Sequence, residues 1–299
     1  MAARKNPVSA RKSAPTGTKD AEPTYEARWA MAIGPENSLK TRIAALTSLG
    51  WNIVESRDKM RAVLALVRDA QQQPIELRLA ALAVVQSATF DSSRFTPFRP
   101  DYLSTLRVLA RDADAEMRQR ALGFLAREHD AHTQEALIAG LDDPGQALVP
   151  PEKALQLLSY DVHAESYRVA RAIVRNPPNA DARREALRLL AADAVSAPTF
   201  EKLLKDKMES FDIRQLAASA LNQLAPHRLQ ACARDITLDD AEPADIKSVS
   251  LTALSNFGDA TAIGKDDALH AYTDNLGQAR GGSAGLKRAA KNFAAQHKR

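Results

Sequence analysis

The sequence predicts an all-α fold, an α-solenoid built from two-helix repeats, and three observations predict it. A motif of an acidic residue, one spacer and Arg or Lys, followed by small or aliphatic residues three, four and seven places on, returns every 31 to 40 residues. Those offsets put the apolar positions on one face of a helix. Aromatic residues make up only 5% of the 299 residues and glycines number 12, while Ala and Leu dominate, which suits close helix packing and argues against β architecture.

The copies follow in order. Arg42 opens the register, with Lys40 in the place of the acid. Clear copies are Glu76-Leu77-Arg78 with Ala81, Leu82 and Val85, and Glu116-Met117-Arg118 with Ala121, Leu122 and Leu125. At the fourth, Pro150-Pro151 replaces the cation, but Ala154, Leu155 and Leu158 keep the spacing, and Pro suits a first helical turn. Asp181-Ala182-Arg183, Asp212-Ile213-Arg214 and Asp245-Ile246-Lys247 continue the series, and a degenerate eighth copy over Leu286 to Phe293 is expected to cap the end. Taking Arg42, Arg78, Arg118, Pro151, Arg183, Arg214 and Lys247 as equivalent, the intervals are 36, 40, 33, 32, 31 and 33 residues. The acid falls at the mouth of each helix, where free N–H groups and the positive dipole end favour it.

A second apolar stretch follows most copies: Met60 to Val67, Leu103 to Ala110, Ala136 to Leu141, Val169 to Val174, Phe200 to Leu204 and Leu229 to Ala233. Several are expected to end alike, at Arg68-Asp69, Arg111-Asp112, Arg175-Asn176 and Arg234-Asp235, with the cation on the negative helix end. The repeating unit is a helix pair.

With these residues in place the chain resembles the HEAT-repeat superfamily, in particular the short HEAT-like units of phycobilisome lyases and bacterial adaptors. The run from Asp112 to Leu125 is similar to the opening half of such a unit and Glu135 to Asp142 to its second helix. The resemblance spans about residues 38 to 293. It implies a right-handed α-solenoid of about seven to eight HEAT-like repeats, with the second helices lining a concave surface. Scaffolds, lyases and DNA glycosylases share this architecture, so it speaks for fold and not for one activity.

A solenoid grows by stacking, so one elongated domain over residues 24–293 is expected, between a disordered basic tail at 1–23 and a short basic tail at 294–299. Residues 1–19 and 280–299 hold eleven of the 41 Lys and Arg residues and no acid, leaving the body with 30 bases against 37 acids, a net charge of −7. An acidic body resists use as a phosphate-tracking surface, so nucleic-acid contact is assigned weakly to the basic tails. The lone Cys232 excludes an internal disulfide. No run has the length of a membrane span or a secretory apolar core, and a cytoplasmic location and a monomeric state are expected.

Function candidates were weighed against packing. The longest interval contains a segment, residues 89–100, with Phe90, Phe95 and Phe98 beside Arg94 and Arg99, read either as a binding loop or as aromatics folded back over helix ends. The stretch 142–151 reads as a permissive connection. Glu128-His129-Asp130-Ala131-His132 lacks the spacing of a metal site and reads as a polar turn. The run Gly281 to Lys287 lacks the ending of a phosphate-binding loop and reads as a break before the last helix. Trp29 and Trp51 are expected to seal the first repeat.

No catalytic constellation, cofactor fingerprint or metal motif is visible, so the leading expectation is a non-enzymatic scaffold or adaptor that binds a protein partner. Its candidate partner-binding residues are Phe95, Phe98, Arg99, Arg107, Arg111, Arg168, Arg171 and Arg175. The alternatives are a nucleic-acid-binding protein of DNA-glycosylase-like architecture and, third, a bilin lyase or chaperone, both suggested by the resemblance.

Overall fold

The computed structural model describes residues 22–278 and 281–297, so most of the basic segment assigned to 1–23, namely 1–21, and residues 298–299 lie outside the described residues. The described residues form helices joined by short turns, with no strand among them. The helices follow one another in pairs, as the sequence repeat predicts. They fall into two compact units, one ending at Val108 and the other beginning at Leu109.

The first unit holds α1 (Tyr25–Ile33), α2 (Leu39–Leu49), α3 (Arg57–Arg68), α4 (Ile75–Ala88), the single turn α5 (Ser92–Phe95) and most of α6 (Arg99–Leu109). Serines set the starts: Ser38 Oγ accepts from the Thr41 N–H and Ser56 Oγ from the Lys59 N–H, satisfying donors that an opening turn leaves free. Helix α2 packs on α1 and α4, and α3 packs on α4. Leu46, Leu49, Met60, Val67, Leu82 and Val85 are buried where these faces meet, and each large side chain so buried contributes about 1.5–3 kcal/mol. Trp51 does not seal the first repeat as expected, because it remains 50% exposed.

The second unit runs α7 (Ala115–Arg127), α8 (Ala131–Asp142), α9 (Pro151–Leu158), α10 (Ala164–Arg175), α11 (Ala180–Leu190), α12 (Ala197–Lys205), α13 (Phe211–Leu224), α14 (Pro226–Leu238), α15 (Ala244–Phe257), α16 (Ala260–Gly264), α17 (Asp267–Gln278) and α18 (Ala284–Gln296). The apolar register holds in every copy. Ala121, Leu122, Leu125, Ala186, Leu187, Ala217, Leu221 and Leu251 have no exposed surface. The acids Glu116, Asp181, Asp212 and Asp245 occupy first turns. The cap itself comes from the residue before the helix: Asp114, Asn179 and Ser210 accept the N–H groups of Met117, Ala182 and Ile213.

The repeated cation has a role that its spacing did not reveal. It joins neighbouring helices. Arg78 Nε donates to the Val67 carbonyl at 2.9 Å, Arg214 Nε to the Leu204 carbonyl at 2.9 Å and Arg42 Nε to the Ala32 carbonyl at 3.1 Å. Each of these carbonyls lies in the last turn of the preceding helix, where no intrahelical N–H remains to bind it. Arg42 and Arg214, and Arg183 at the equivalent position, also reach forward to the turn before the next first helix. Arg42 donates to Gln73 Oε1 at 3.1 Å, Arg183 to Glu209 Oε2 at 2.5 Å and Arg214 to Glu242 Oε1 at 2.9 Å. Arg118 donates to the carbonyls of Asp112 at 2.6 Å and Leu148 at 2.7 Å. The acid-spacer-cation motif is thus helix entry plus inter-repeat fastening.

Three boundaries differ from the sequence reading. Helix α14 does not stop at Arg234-Asp235 but continues to Leu238, because Ile236 and Thr237 carry its buried face onward. The seventh pair acquires a second helix, α17, whose Leu269 and Thr273 are buried. Helix α18 runs through Gln296, so residues 294–296 are helical and not tail.

Candidate partner-binding surface

Phe95 and Phe98 are not exposed anchors: they are 5% and 6% exposed, in α5 and the following 3-10 turn. Asp91 caps this turn by accepting the Arg94 N–H at 3.2 Å, which bends the chain back. The Phe95 ring then meets the edge of Tyr102 at 5.3 Å and Phe98 at 6.4 Å between centroids. The long interval therefore encloses a small aromatic core, and only Phe90, at 90% exposed, faces out.

Six candidate cations remain. Arg99 and Arg107 are exposed on α6 in the first unit; Arg111, Arg168, Arg171 and Arg175 belong to the second. Within the second unit, acids of neighbouring repeats take up much of the basic stripe. Arg168 grips Asp142 through both nitrogens, at 2.6 and 3.2 Å, and this bond pushes the guanidinium pKa further up. Arg171 donates to Asp193, whose carboxylate also accepts from Ser196 Oγ at 2.6 Å. Arg228 donates to Glu201 at 2.6 Å and Arg234 to Asp266 at 2.5 Å. These bonds span 22 to 32 residues in sequence, so each arginine meets an acid of a neighbouring repeat, earlier in the chain for Arg168 and Arg228 and later for Arg171 and Arg234. Arg175 is exposed at the end of α10.

Arg111 stands differently, on the wall of a groove of about 690 Å³ in the second unit. His132, Glu135, Ala136 and Ala139 form the opposite side, spaced as one exposed face of α8. Residues 145–148 make the third side. The connection that read as permissive is thus a built wall. Asp143 accepts the Gly145 N–H at 2.9 Å and the Gln146 amide at 3.0 Å, and these bonds, the Gln146 one foremost, hold its carboxyl below the usual aspartate range. Gly140 lets the wall lie on α8, because a Cβ there would sit 2.8 Å from the Ala147 Cα. Arg118 anchors its far end at the Leu148 carbonyl. The groove offers a guanidinium, an imidazole, a carboxylate and the Gln146 amide over a floor of small apolar groups, a mixture suited to hydrogen bonding with a polypeptide surface.

Other sequence candidates resolve into structure. Asp130 caps α8 by accepting the Thr133 N–H at 3.0 Å. His129, at φ 55°, takes the left-handed position after α7, and its Nδ1 lies 3.3 Å from Asp161 Oδ2, as does His163 Nε2. Ser283 caps α18 after Gly282 at φ 98°, so the Gly281 to Lys287 run is a helix entry. Cys232 has no exposed surface, and burial pushes its thiol pKa up against the opposing influence of Lys205.

No family model matches the chain, and no curated protein matches it. Among solved structures, the complex of CpcE and CpcF of the phycocyanin lyase from Nostoc sp. PCC7120 is similar over 96% of this chain and 100% of that chain, at 16% identity and a TM-score of 0.41. An engineered protein is similar over 91% of this chain and 78% of that chain, at 16% identity and a TM-score of 0.46. The fold assignment rests on the chain's own helices and register. No helix among the described residues is long and apolar enough to cross a membrane.

Proposed function

We propose that the protein is a helical scaffold that binds a partner protein through the groove between Arg111, the exposed face of α8 and the 145–148 wall. One observation carries this reading. The recurrent cations of the first helices hold the repeats together, and most second-helix arginines of the second unit are paired, while Arg111 is presented on a concave, peptide-sized surface. Hot spots at protein interfaces are enriched in arginine set in such concavities.

The nucleic-acid reading draws on the basic ends, most of which lie outside the described residues, and the pairing of Arg168, Arg171, Arg228 and Arg234 with acids reduces the positive field the body can offer. A thiol-based lyase reading is disfavoured by Cys232, which has no exposed surface and whose thiol pKa burial pushes up, away from the nucleophilic thiolate.

The test is affinity capture with the full chain, followed by titration of each recovered protein. Arg111→Glu is expected to weaken a genuine partner by at least about 2 kcal/mol. Arg184→Ala, in α11 and outside the lining of this groove, should leave binding unchanged. Equal losses in both variants, or recovery of nucleic acid in place of a saturable protein, would overturn the reading.

A further inference from the structure

The first two helices carry a second surface, distinct from the Arg111 groove. A groove of about 580 Å³ lies along α1 and α2, with Met31, Ala44 and Ala45 on its apolar side and Arg28 and Lys40 beside them. Met31 is 36% exposed on this surface. Arg28 Nε is shut off from solvent yet has no hydrogen-bond partner among the described residues. A guanidinium nitrogen in that state loses its hydration without compensation, and an arriving carboxylate would supply the missing acceptor. Lys40 is exposed and forms no ion pair among the described residues. Among the described lining residues Glu22 is the one acid.

The geometry points to an acidic, apolar segment of a partner protein as the occupant, with its carboxylates on Arg28 and Lys40 and its aliphatic side chains against Met31, Ala44 and Ala45. This rests on the protein-binding reading but places a second contact at another surface. Charge selects the occupant. The chain's own residues 1–19 carry five Lys or Arg and no acid, the wrong sign for this rim.

The experiment measures fluorescence anisotropy of two labelled peptides against the full chain, one built from Glu, Leu and Ala and the other with Lys in place of every Glu. The acidic peptide is expected to bind saturably and to weaken with salt, and Arg28→Glu/Lys40→Glu should reduce its affinity at least about tenfold while admitting the Lys peptide. Lys40→Glu alone, at an exposed position, gives the same direction if the double variant does not fold. Equal binding of the two peptides, or unchanged preference after charge reversal, would overturn the assignment. Binding that persists in Arg111→Glu separates this surface from the α8 groove, and binding abolished by Arg111→Glu would move the peptide to that groove and overturn this inference alone. A Ser48→Cys thiol is expected to react freely and to be protected by the acidic peptide. Resistance before any peptide is added would mean that the chain fills its own groove, and the proposal would fall.

Discussion

Arg214 and Glu242 meet inside the second unit with 3% and 2% of their side chains exposed. Arg214 Nη2 donates to Glu242 Oε1 at 2.9 Å, while Nη1 stands 2.8 Å from Oε2, close enough for charge attraction although Oε2 has no hydrogen bond of its own. Through Nε the same guanidinium holds the Leu204 carbonyl, so one side chain joins the end of α12 to the turn before α15.

Arg214→Ala should therefore destabilise the protein by about 3–5 kcal/mol, because it leaves a buried carboxylate without its counter-charge. Glu242→Gln retains an acceptor and should lose clearly less. Urea unfolding of both variants checks the ranking: equal losses would show that the ion pair carries the whole effect, and an unchanged Glu242→Gln protein beside a destabilised Arg214→Ala one would show that the carbonyl bond does.

The core register is tested at Leu125, which has no exposed surface. Leu125→Asp should cost about 4 kcal/mol or more by placing an unpaired charge between packed helices. Arg127→Ala is the control, and its loss should stay within about 1 kcal/mol, the scale of an exposed cation over an aromatic face. Arg127 lies 5.3 Å from the Phe124 ring centre and 5.5 Å from that of Tyr160. A folded Leu125→Asp protein with wild-type stability would refute the register.

Phe95→Ser and Phe98→Ser should each lower stability by about 3–5 kcal/mol, as loss of a buried ring does, with the double change less than additive because the rings touch. Phe90→Ser, at a position 90% exposed, should be near neutral. Parallel melting and binding curves decide the matter: partner affinity should fall only where the protein has unfolded.

Acid sensitivity should concentrate at the inter-repeat carboxylates. The hydrogen bond from Arg183, opposed by burial and aided by the Ser210 backbone, holds Glu209 below its ordinary value of 4.5. A depressed carboxyl pKa contributes stability at higher pH that is lost as pH falls from the ordinary value through the depressed one. Glu209→Gln should thus lower the melting temperature near neutrality and flatten its decline below pH 4.5. A variant whose acid limb parallels the wild type would show that this bond is not linked to folding.

The grooves were less legible than the helices. Arg111 stands out in the sequence by its place at the end of a second stretch, but the third wall of its groove arises from residues 145–148, more than thirty positions away, and that juxtaposition depends on Gly140 accepting Ala147 against its backbone. Arg168 and Arg171 read as a basic stripe because sequence shows the spacing of charges and not their partners across a repeat; Asp142 and Asp193 decide the matter. A signal for the fastening role was present: Glu209 and Glu242 each lie two residues before the next first helix.

Local rules were enough for the helices. Periodicity of the apolar residues, capping residues ahead of several first turns and the scarcity of glycine act within a few residues of one another, so the sequence alone determined an all-α chain of paired helices and the buried set Leu82, Leu122, Leu125, Leu187 and Leu221. Tertiary structure alone decided that Phe95 and Phe98 turn inward, that the repeated arginines bind carbonyls of the helix before them, and that Arg28 is left with an unpaired buried nitrogen. The physical reason is that burial and hydrogen bonding of a long or aromatic side chain depend on which groups packing brings within about 3 to 6 Å, and those groups are set by helix stacking rather than by neighbours in the chain.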